Sequence, residues 1–378
     1  MGARSGNNYL SALRRLKAEV WVGAARVADP TINPTLVHRA RMIASLYDLQ
    51  MEHPGALTYR LEDGDRVGIS FIQPSGRAEL QARGAMFRRW AEYSGGLLID
   101  TPDGCNAGLA AMAKAKDFFA TSGSRFGSNV QDYYRDARRH DWCTAHTLVG
   151  PHSNASGEEV APAAADNPLR VAESIAEGLI VSGTRPVSPL APLAEELMVF
   201  PPPGLPDQSV PAERVAPAFA INCNARGLKL ICAAPNDSPQ RQATENSPFA
   251  EMACVAIFDR VLIPWARVFL FGDLARRRAM LEETGAILNL MHRRTVRSLV
   301  AAEFRVGRVA NLVDRCGALT FPQVRARLIE QASATHFAGV LIHAAEVGAQ
   351  TDRWGQALPQ SAPLALATEL LQQLERGV

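Results

Sequence analysis

Asp100 closes an apolar run, Leu97-Leu98-Ile99, and leads into the turn Thr101-Pro102-Asp103-Gly104. Asp103-Gly104 alone is ordinary turn chemistry. A carboxylate directly after three apolar residues either caps the next helix or lines a cavity. His146 lies in HTLVGPH, six residues before His152, with Gly150-Pro151 between them. An imidazole ahead of an apolar triplet and a turn can point into an interdomain cleft and hold a hydroxyl or relay a proton. The same spacing suits a hydrogen-bonded structural histidine, and His152 reads as more exposed. His292 stands beside Arg293, Arg294 and Arg297. Guanidinium groups bind phosphate oxygens in bidentate fashion, so these arginines are candidates for a pyrophosphate, with a solvated basic face as the alternative. The chain has no GxSxG, P-loop, GxGxxG or HExxH pattern.

The elements that must position these residues fall into three segments. Residues 1–150 read mostly as helix, with LVHRARMIASLYDLQ, ELQARGAMFRRWAEYSGG, GLAAMAKAKDFFA and NVQDYYRDARRHDWCTAHTLV carrying the periodicity. A glycine pair, Gly95-Gly96, stops one of these helices. Residues 151–272 open with a polar loop and continue as short apolar runs (GLIVSG, ELMVF, APAFAIN, LKLICA, MACVAIF, RVLIPW, RVFLF), which predict a small sandwich or barrel. Residues 273–378 return to helix. Leu299, Ala302, Val306, Val309 and Val313 form a bundle-type seam, and His292 and Thr295 extend it backwards. Cys316-Gly317 ends that helix, Thr320 is expected to cap the next, with Pro322 in its first turn, and that helix runs to about Val347 before a last one reaches the C-terminus. The fold class is therefore mainly α with a central β domain (α+β): helices, a β-barrel or sandwich, and a short helical bundle.

Composition narrows the classes further. With 378 residues, two or three domains are expected. Forty basic against 38 acidic residues give a net charge of +2, which lacks the concentrated basic surface that a nucleic-acid protein needs. The six cysteines form no CxxC pair and several lie in apolar runs, so buried free thiols are expected and no metal site. The start has no apolar signal core, and no stretch is long enough to span a bilayer, so no membrane partner and a cytoplasmic location are expected.

Seven stretches together resemble one family: RMIASLYDL, LTYR, RRWAEYSGGLLIDTPD, HTLVGP, GLIVSGTRPVSPLAPLAEELMVFP, ARGLKLIC and VAIFDRVLIPWARVFLF. They are similar to the oxygenase component of two-component, reduced-flavin-dependent 4-hydroxyphenylacetate 3-monooxygenases. The resemblance implies an acyl-CoA-dehydrogenase-like architecture, assembly as a homodimer or homotetramer, and reduced FAD supplied by a separate flavin reductase. It implies that His146 touches both substrate and flavin. The family's turn typically reads Gly-Arg-Ser-Pro-Asp-Tyr, with its Arg and Tyr on the substrate; here it is Ile99-Asp100-Thr101-Pro102-Asp103-Gly104. A cation has become an anion, and an aromatic has become glycine. The substrate-binding set implied is Asp100, Thr101, Asp103, Gly104 and His146. The flavin-holding Pro-Gln-x-Asp-Arg segment corresponds to Pro151-His152-Ser153-Asn154-Ala155, and a flavin-contacting Thr to Pro189, which offers neither hydroxyl nor N–H donor. The cofactor set implied is His146, His152, Ser153, Asn154 and Pro189, joined by Arg294 and Arg297. Pro-Trp-Glu becomes Pro264-Trp265-Ala266. Family members extend beyond residue 378, and part of their flavin grip comes from that extension.

Three activities follow as expectations. The first is a reduced-FAD-dependent monooxygenase hydroxylating an aromatic or amine-bearing small molecule in a biosynthetic pathway, with His146 and Asp100 as catalytic residues. A phenolate beside an ionised Asp100 would be repelled, so the substrate is expected to be neutral or to carry an amine. The second is a flavin-independent scaffold for cyclisation, isomerisation or dehydration using Asp100, His146 and His292. The third is a non-catalytic partner subunit whose apolar bundle seam is covered by a homologue.

Overall fold

The computed structural model describes residues 2–148, 152–153, 159–160, 167–201, 217–233 and 252–376. Two sheets form its centre. The six-stranded sheet has the order β2-β1-β12-β13-β9-β8, and the four-stranded sheet β14-β11-β10-β5. The strands of the first are β1 (Val20–Val22), β2 (Ala25–Val27), β8 (Arg170–Ser174), β9 (Gly178–Val187), β12 (Leu228–Cys232) and β13 (Cys254–Pro264). Those of the second are β5 (Thr144–His146), β10 (Glu196–Val199), β11 (Ala218–Asn222) and β14 (Val268–Leu270). Among the described residues three small hairpins stand apart: β3 (Thr58–Arg60) with β4 (Arg66–Gly68), β6 (His152–Ser153) with β7 (Glu159–Val160), and β15 (Gln350–Thr351) with β16 (Ala357–Leu358).

Alternation explains the central strands. In β12, Leu228, Leu230 and Cys232 face the core while Lys229 and Ile231 are half-buried. The runs MACVAIF and RVLIPW belong to one strand, β13, whose register shifts between Phe258 and Val261. Arg260 sits there at φ 49°, the signature of a bulge that bends a long strand without ending it. Two pairings are parallel and distant in sequence: Val20–Val22 lies beside Leu230–Cys232, and Thr144–His146 beside Glu196–Met198. Segments that read as part of the helical N-terminal third thus complete both central sheets.

Helices cover the sheets. The Arg77–Tyr93, Pro102–Lys114 and Ser124–His140 helices lie between β4 and β5 in the chain, and the Ala286–Arg315, Pro322–Val347 and Ser361–Arg376 helices follow β14. The seam of the Ala286–Arg315 helix is buried at His292, Thr295, Leu299 and Ala302, but Val306, Val309 and Val313 are only partly covered or exposed. Thr320 does not cap the following helix. Its hydroxyl donates to the Gly317 carbonyl, and Phe321 is the N-cap residue, because the 3-10 turn Ala318–Thr320 ends one residue earlier. Among the described residues no helix is long and apolar enough to cross a membrane.

Candidate active site

The corner around Asp100 is built by glycines and arginines. Gly95 (φ 60°) and Gly96 (φ 72°) follow the Arg77–Tyr93 helix. A Cβ on Gly96 would stand 2.5 Å from the Ala301 nitrogen, so only glycine lets this turn lie on the Ala286–Arg315 helix. Arg297 then donates to the Gly96 carbonyl (2.7 Å). One helical turn back, Arg293 donates to the Ile99 carbonyl (2.6 Å), the Thr101 hydroxyl and the Asp103 carboxylate (3.2 Å). Thr101 is the N-cap residue of the Pro102–Lys114 helix, with Pro102 at its start. Arg293 and Arg297 therefore fasten residues 96–103 to the bundle.

Asp100 points the other way, toward His146. Its Oδ1 lies 3.5 Å from His146 Nε2, and the side chains are 13% and 16% exposed, so neither faces bulk solvent. His146 is at the end of β5, opposite Met198 of β10, and its carbonyl accepts the Ser188 N–H (2.8 Å). His146 Nδ1 accepts the Leu148 N–H (3.2 Å). That bond assigns the proton of the neutral ring to Nε2, which donates to Asp100. Burial alone would raise the Asp100 carboxyl. The adjacent His146, a hydrogen bond from Ser188 and the charge of Arg293 outweigh it and hold the group well below the usual carboxylate range. Asp100 is thus a fixed anion with an oriented imidazole N–H beside it.

The structure brings Asp100 and His146 together. It gathers Thr101, Asp103 and Gly104 around Arg293 instead; a Cβ on Gly104 would make ordinary contact with Arg293 Cδ at 3.6 Å. Pro189 is half-buried one residue after Ser188. Arg294 is exposed on its helix, and Arg297 is buried against Gly96. His152 and Ser153 pair through β6 with Val160 and Glu159, and Asn154 lies outside the described residues. His292, roughly 100° around the helix from Arg293, turns to other partners; it is fully buried, with Nε2 2.8 Å from Glu346 Oε1 and its ring edge-on to Phe87. Grooves of about 410 and 480 Å³ lie on the bundle, away from Asp100 and His146, lined by residues such as Val309, Leu328 and Leu374 or His336, His343 and Glu346.

Two residues of this corner were missed from sequence. Ser188 places a buried hydroxyl on Asp100, one position before the proline that replaces the family's threonine. The hydroxyl was legible in Ser188-Pro189; its direction was not. Arg185, on β9, reaches the carbonyls of Thr147 (3.5 Å) and Phe200 (3.4 Å), and its Nε is buried without a partner. Burial, then the neighbouring Arg277 guanidinium, push Arg185 down to about 10. Among the described residues no carboxylate pairs with it. A half-buried cation that feels a second guanidinium and reaches the carbonyl of Thr147, the residue after His146, fits an anion such as the diphosphate of FAD.

Residues 5–270 match the family described as 4-hydroxyphenylacetate 3-hydroxylase N terminal, and residues 277–374 its C-terminal counterpart. The chain is 33% identical over 371 residues to the 4-hydroxyphenylacetate 3-monooxygenase oxygenase component of Geobacillus sp. (strain PA-9), covering 97% of this chain and 75% of that protein. It superposes with a TM-score of 0.85 and 29% identity on the oxygenase component of 4-hydroxyphenylacetate 3-monooxygenase complexed with FAD and 4-hydroxyphenylacetate, covering 100% of this chain and 79% of that one. Butyryl-CoA dehydrogenase from Megasphaera elsdenii shares the fold at a TM-score of 0.50 and 13% identity, over 98% of this chain and 84% of its own. The helix–sheet–helix order is thus acyl-CoA-dehydrogenase-like, and the chain belongs to the 4-hydroxyphenylacetate 3-hydroxylase family.

Proposed function

We propose that this chain is the oxygenase component of a two-component monooxygenase. It takes FAD reduced by a separate flavin reductase and hydroxylates an aromatic small molecule that presents a neutral hydroxyl or an amine to Asp100. The family membership supports the reaction class, and the Asp100–His146 pair carries the substrate class. Reduced FAD, when bound, supplies the activation of dioxygen. Arg185 is the residue present to meet its diphosphate, and Ser188 and His146 line the adjoining corner.

The residues of the corner divide the remaining work. A substrate hydroxyl placed between the pair accepts from His146 Nε2–H and donates to Asp100. An ammonium group donates to Asp100 directly. A carboxylate held this far below neutrality takes no proton at pH 7, so Asp100 acts as an oriented acceptor and charge, and it disfavours phenolate. His146, with Nδ1 engaged by Leu148, serves as a donor that keeps the hydroxyl in place.

The test is a flavin titration followed by turnover. FAD fluorescence should quench on addition of folded protein, and reduced FAD with dioxygen should hydroxylate neutral phenols or aryl amines in preference to carboxylate-bearing phenols. No FAD binding at high micromolar concentration removes the oxygenase reading. Binding with preference for anionic phenols removes only the role of Asp100.

Location in the cytoplasm and assembly as a homodimer or homotetramer belong to the same reading. Leu312, Phe321 and Ile329 are 62%, 55% and 64% exposed along the bundle, the kind of surface a second copy buries. Light scattering of the purified chain should give a multiple of the 40.9 kDa mass, and a monomer would overturn this part.

A further inference from the structure

Cys232 and Cys254 face each other across β12 and β13, at the centre of the six-stranded sheet. Their sulfurs are 2.8 Å apart, with the Cys254 thiol donating to Cys232 Sγ. Ala233 N–H bonds to the Ala253 carbonyl (2.9 Å), which makes 233/253 a hydrogen-bonded pair of the ladder. Alternation then makes 232/254 a non-hydrogen-bonded pair, where Cα atoms approach to about 4.5 Å and side chains are closest. That separation is inside the range of about 4.4–6.8 Å that a disulfide needs. Both cysteines are buried, but Ala233 and Ala253, the next residues toward the sheet end, are exposed, so the pair lies one residue from solvent.

We infer that Cys232 and Cys254 are an oxidisable dithiol that closes to a cross-strand disulfide in the folded protein under hydrogen peroxide. The geometry assigns the order. Cys232, which receives the hydrogen bond, attacks the peroxide as thiolate, breaking the O–O bond and leaving a sulfenic acid and a hydroxide, which takes up the proton the thiol released and becomes one water. Cys254 sulfur then attacks that sulfur, its proton leaves with the second water, and one S–S bond has formed for two electrons passed to peroxide. The other cysteines have no such partner: Cys105 contacts Met198 sulfur at 3.5 Å, and Cys316 is exposed on the bundle. The dithiol also adjoins the candidate site. Cys254 pairs with Val187 of β9, next to Ser188, and Arg39, which feels Cys254, reaches the Asp100 carbonyl at 3.5 Å.

The experiment uses the full chain carrying Cys316→Ser, which removes the exposed thiol. The folded protein is titrated with hydrogen peroxide, unfolded, alkylated and mapped by mass spectrometry. Two thiols should be lost per chain together with two hydrogens of intact mass, one linked peptide should join residues 232 and 254, and dithiothreitol should restore both thiols. Cys232→Ser and Cys254→Ser should each abolish the linked peptide; if either misfolds, the peptide map of the parent still decides. Retention of all thiols, oxidation to sulfinic acids, or a link between other cysteines would overturn the inference. FAD binding is not part of the readout, so the result is independent of the proposed activity.

Discussion

Two histidine–carboxylate pairs are served by one helix, through His292 in the first and Arg293 in the second, and they are built differently. His292 and Glu346 sit inside the bundle at 2.8 Å, with the imidazole fully buried and Arg83 and Phe87 around it. His146 and Asp100 sit at the sheet–bundle junction at 3.5 Å, both partly exposed, with the ring tautomer fixed by a backbone N–H. In the first pair burial, outweighing Glu346, pushes the imidazole below its ordinary value, so the histidine is kept neutral and packed. In the second, burial is overridden and the carboxylate is kept ionised. The two carboxylates are equally exposed, at 13%; the pairs differ in the imidazole, fully buried in the first and 16% exposed in the second, where the 3.5 Å contact is the one a ligand hydroxyl would enter. His292 and Arg293 are neighbours on the helix, yet the first completes the packed pair and the second supports the open one.

The largest test of this contrast is Arg293→Met. Removing it leaves Asp103 buried and unpaired and frees the Ile99–Thr101 strip, which should cost about 3–5 kcal/mol in urea unfolding. The Asp100 corner should loosen while the His292 pair keeps its imidazole signals by NMR. Next in size is Asp100→Asn. It keeps the shape and removes the charge, so kcat/KM for a hydroxyl- or amine-bearing substrate should fall about 10- to 100-fold, the equivalent of one charge-assisted hydrogen bond of about 1.5–3 kcal/mol. A change below about 2-fold would place Asp100 outside substrate contact.

Gly84→Ala attacks the packed pair from the Arg77–Tyr93 helix. Its Cβ would be 2.2 Å from Glu346 Oε1, so Glu346 must turn away and leave His292 unpaired in the interior. A loss of about 1–3 kcal/mol in unfolding free energy is expected, without a change in substrate preference. The smallest effect is in pH. A histidine held below its unfolded pKa of about 6.5 leaves the unfolded chain the better proton binder in mild acid, so its contribution is whole above that pH and erodes below it. Compared with His292→Gln, the parent should lose stability between pH 6.5 and 5 at a slope no steeper than about 1.4 kcal/mol per pH unit. Equal slopes for the two proteins would show that His292 does not titrate differently on unfolding.

Much of the scaffold was legible because periodicity reports one buried face. The helix from Pro322 to Val347, the stop at Gly317 and the strand in LKLIC follow from local pattern alone. Val20–Val22 was not legible as a sheet strand, because its partner lies some two hundred residues away and three residues carry no period. Thr320 looked like a cap by type, but a tight turn used its hydroxyl first. In the site, Asp100 stood out because a carboxylate after Leu97-Leu98-Ile99 needs a partner, and His146 supplies it. The work of Arg293 was not readable: a guanidinium signals an anion or a carbonyl equally, and here the Ile99 and Gly96 carbonyls accept from Arg293 and Arg297, two of the three arginines that suggested phosphate. Arg185 gave no signal at all, since its interest lies in having no carboxylate partner among the described residues.

The parallel seating of Val20–Val22 against Leu230–Cys232 also constrains biosynthesis. An emerging polypeptide carries the β1–β2 hairpin long before the edge it must dock on has left the ribosome. Until Cys232 is translated, that hairpin has one edge unsatisfied, and a stalled or truncated nascent chain would expose it to pairing with other chains.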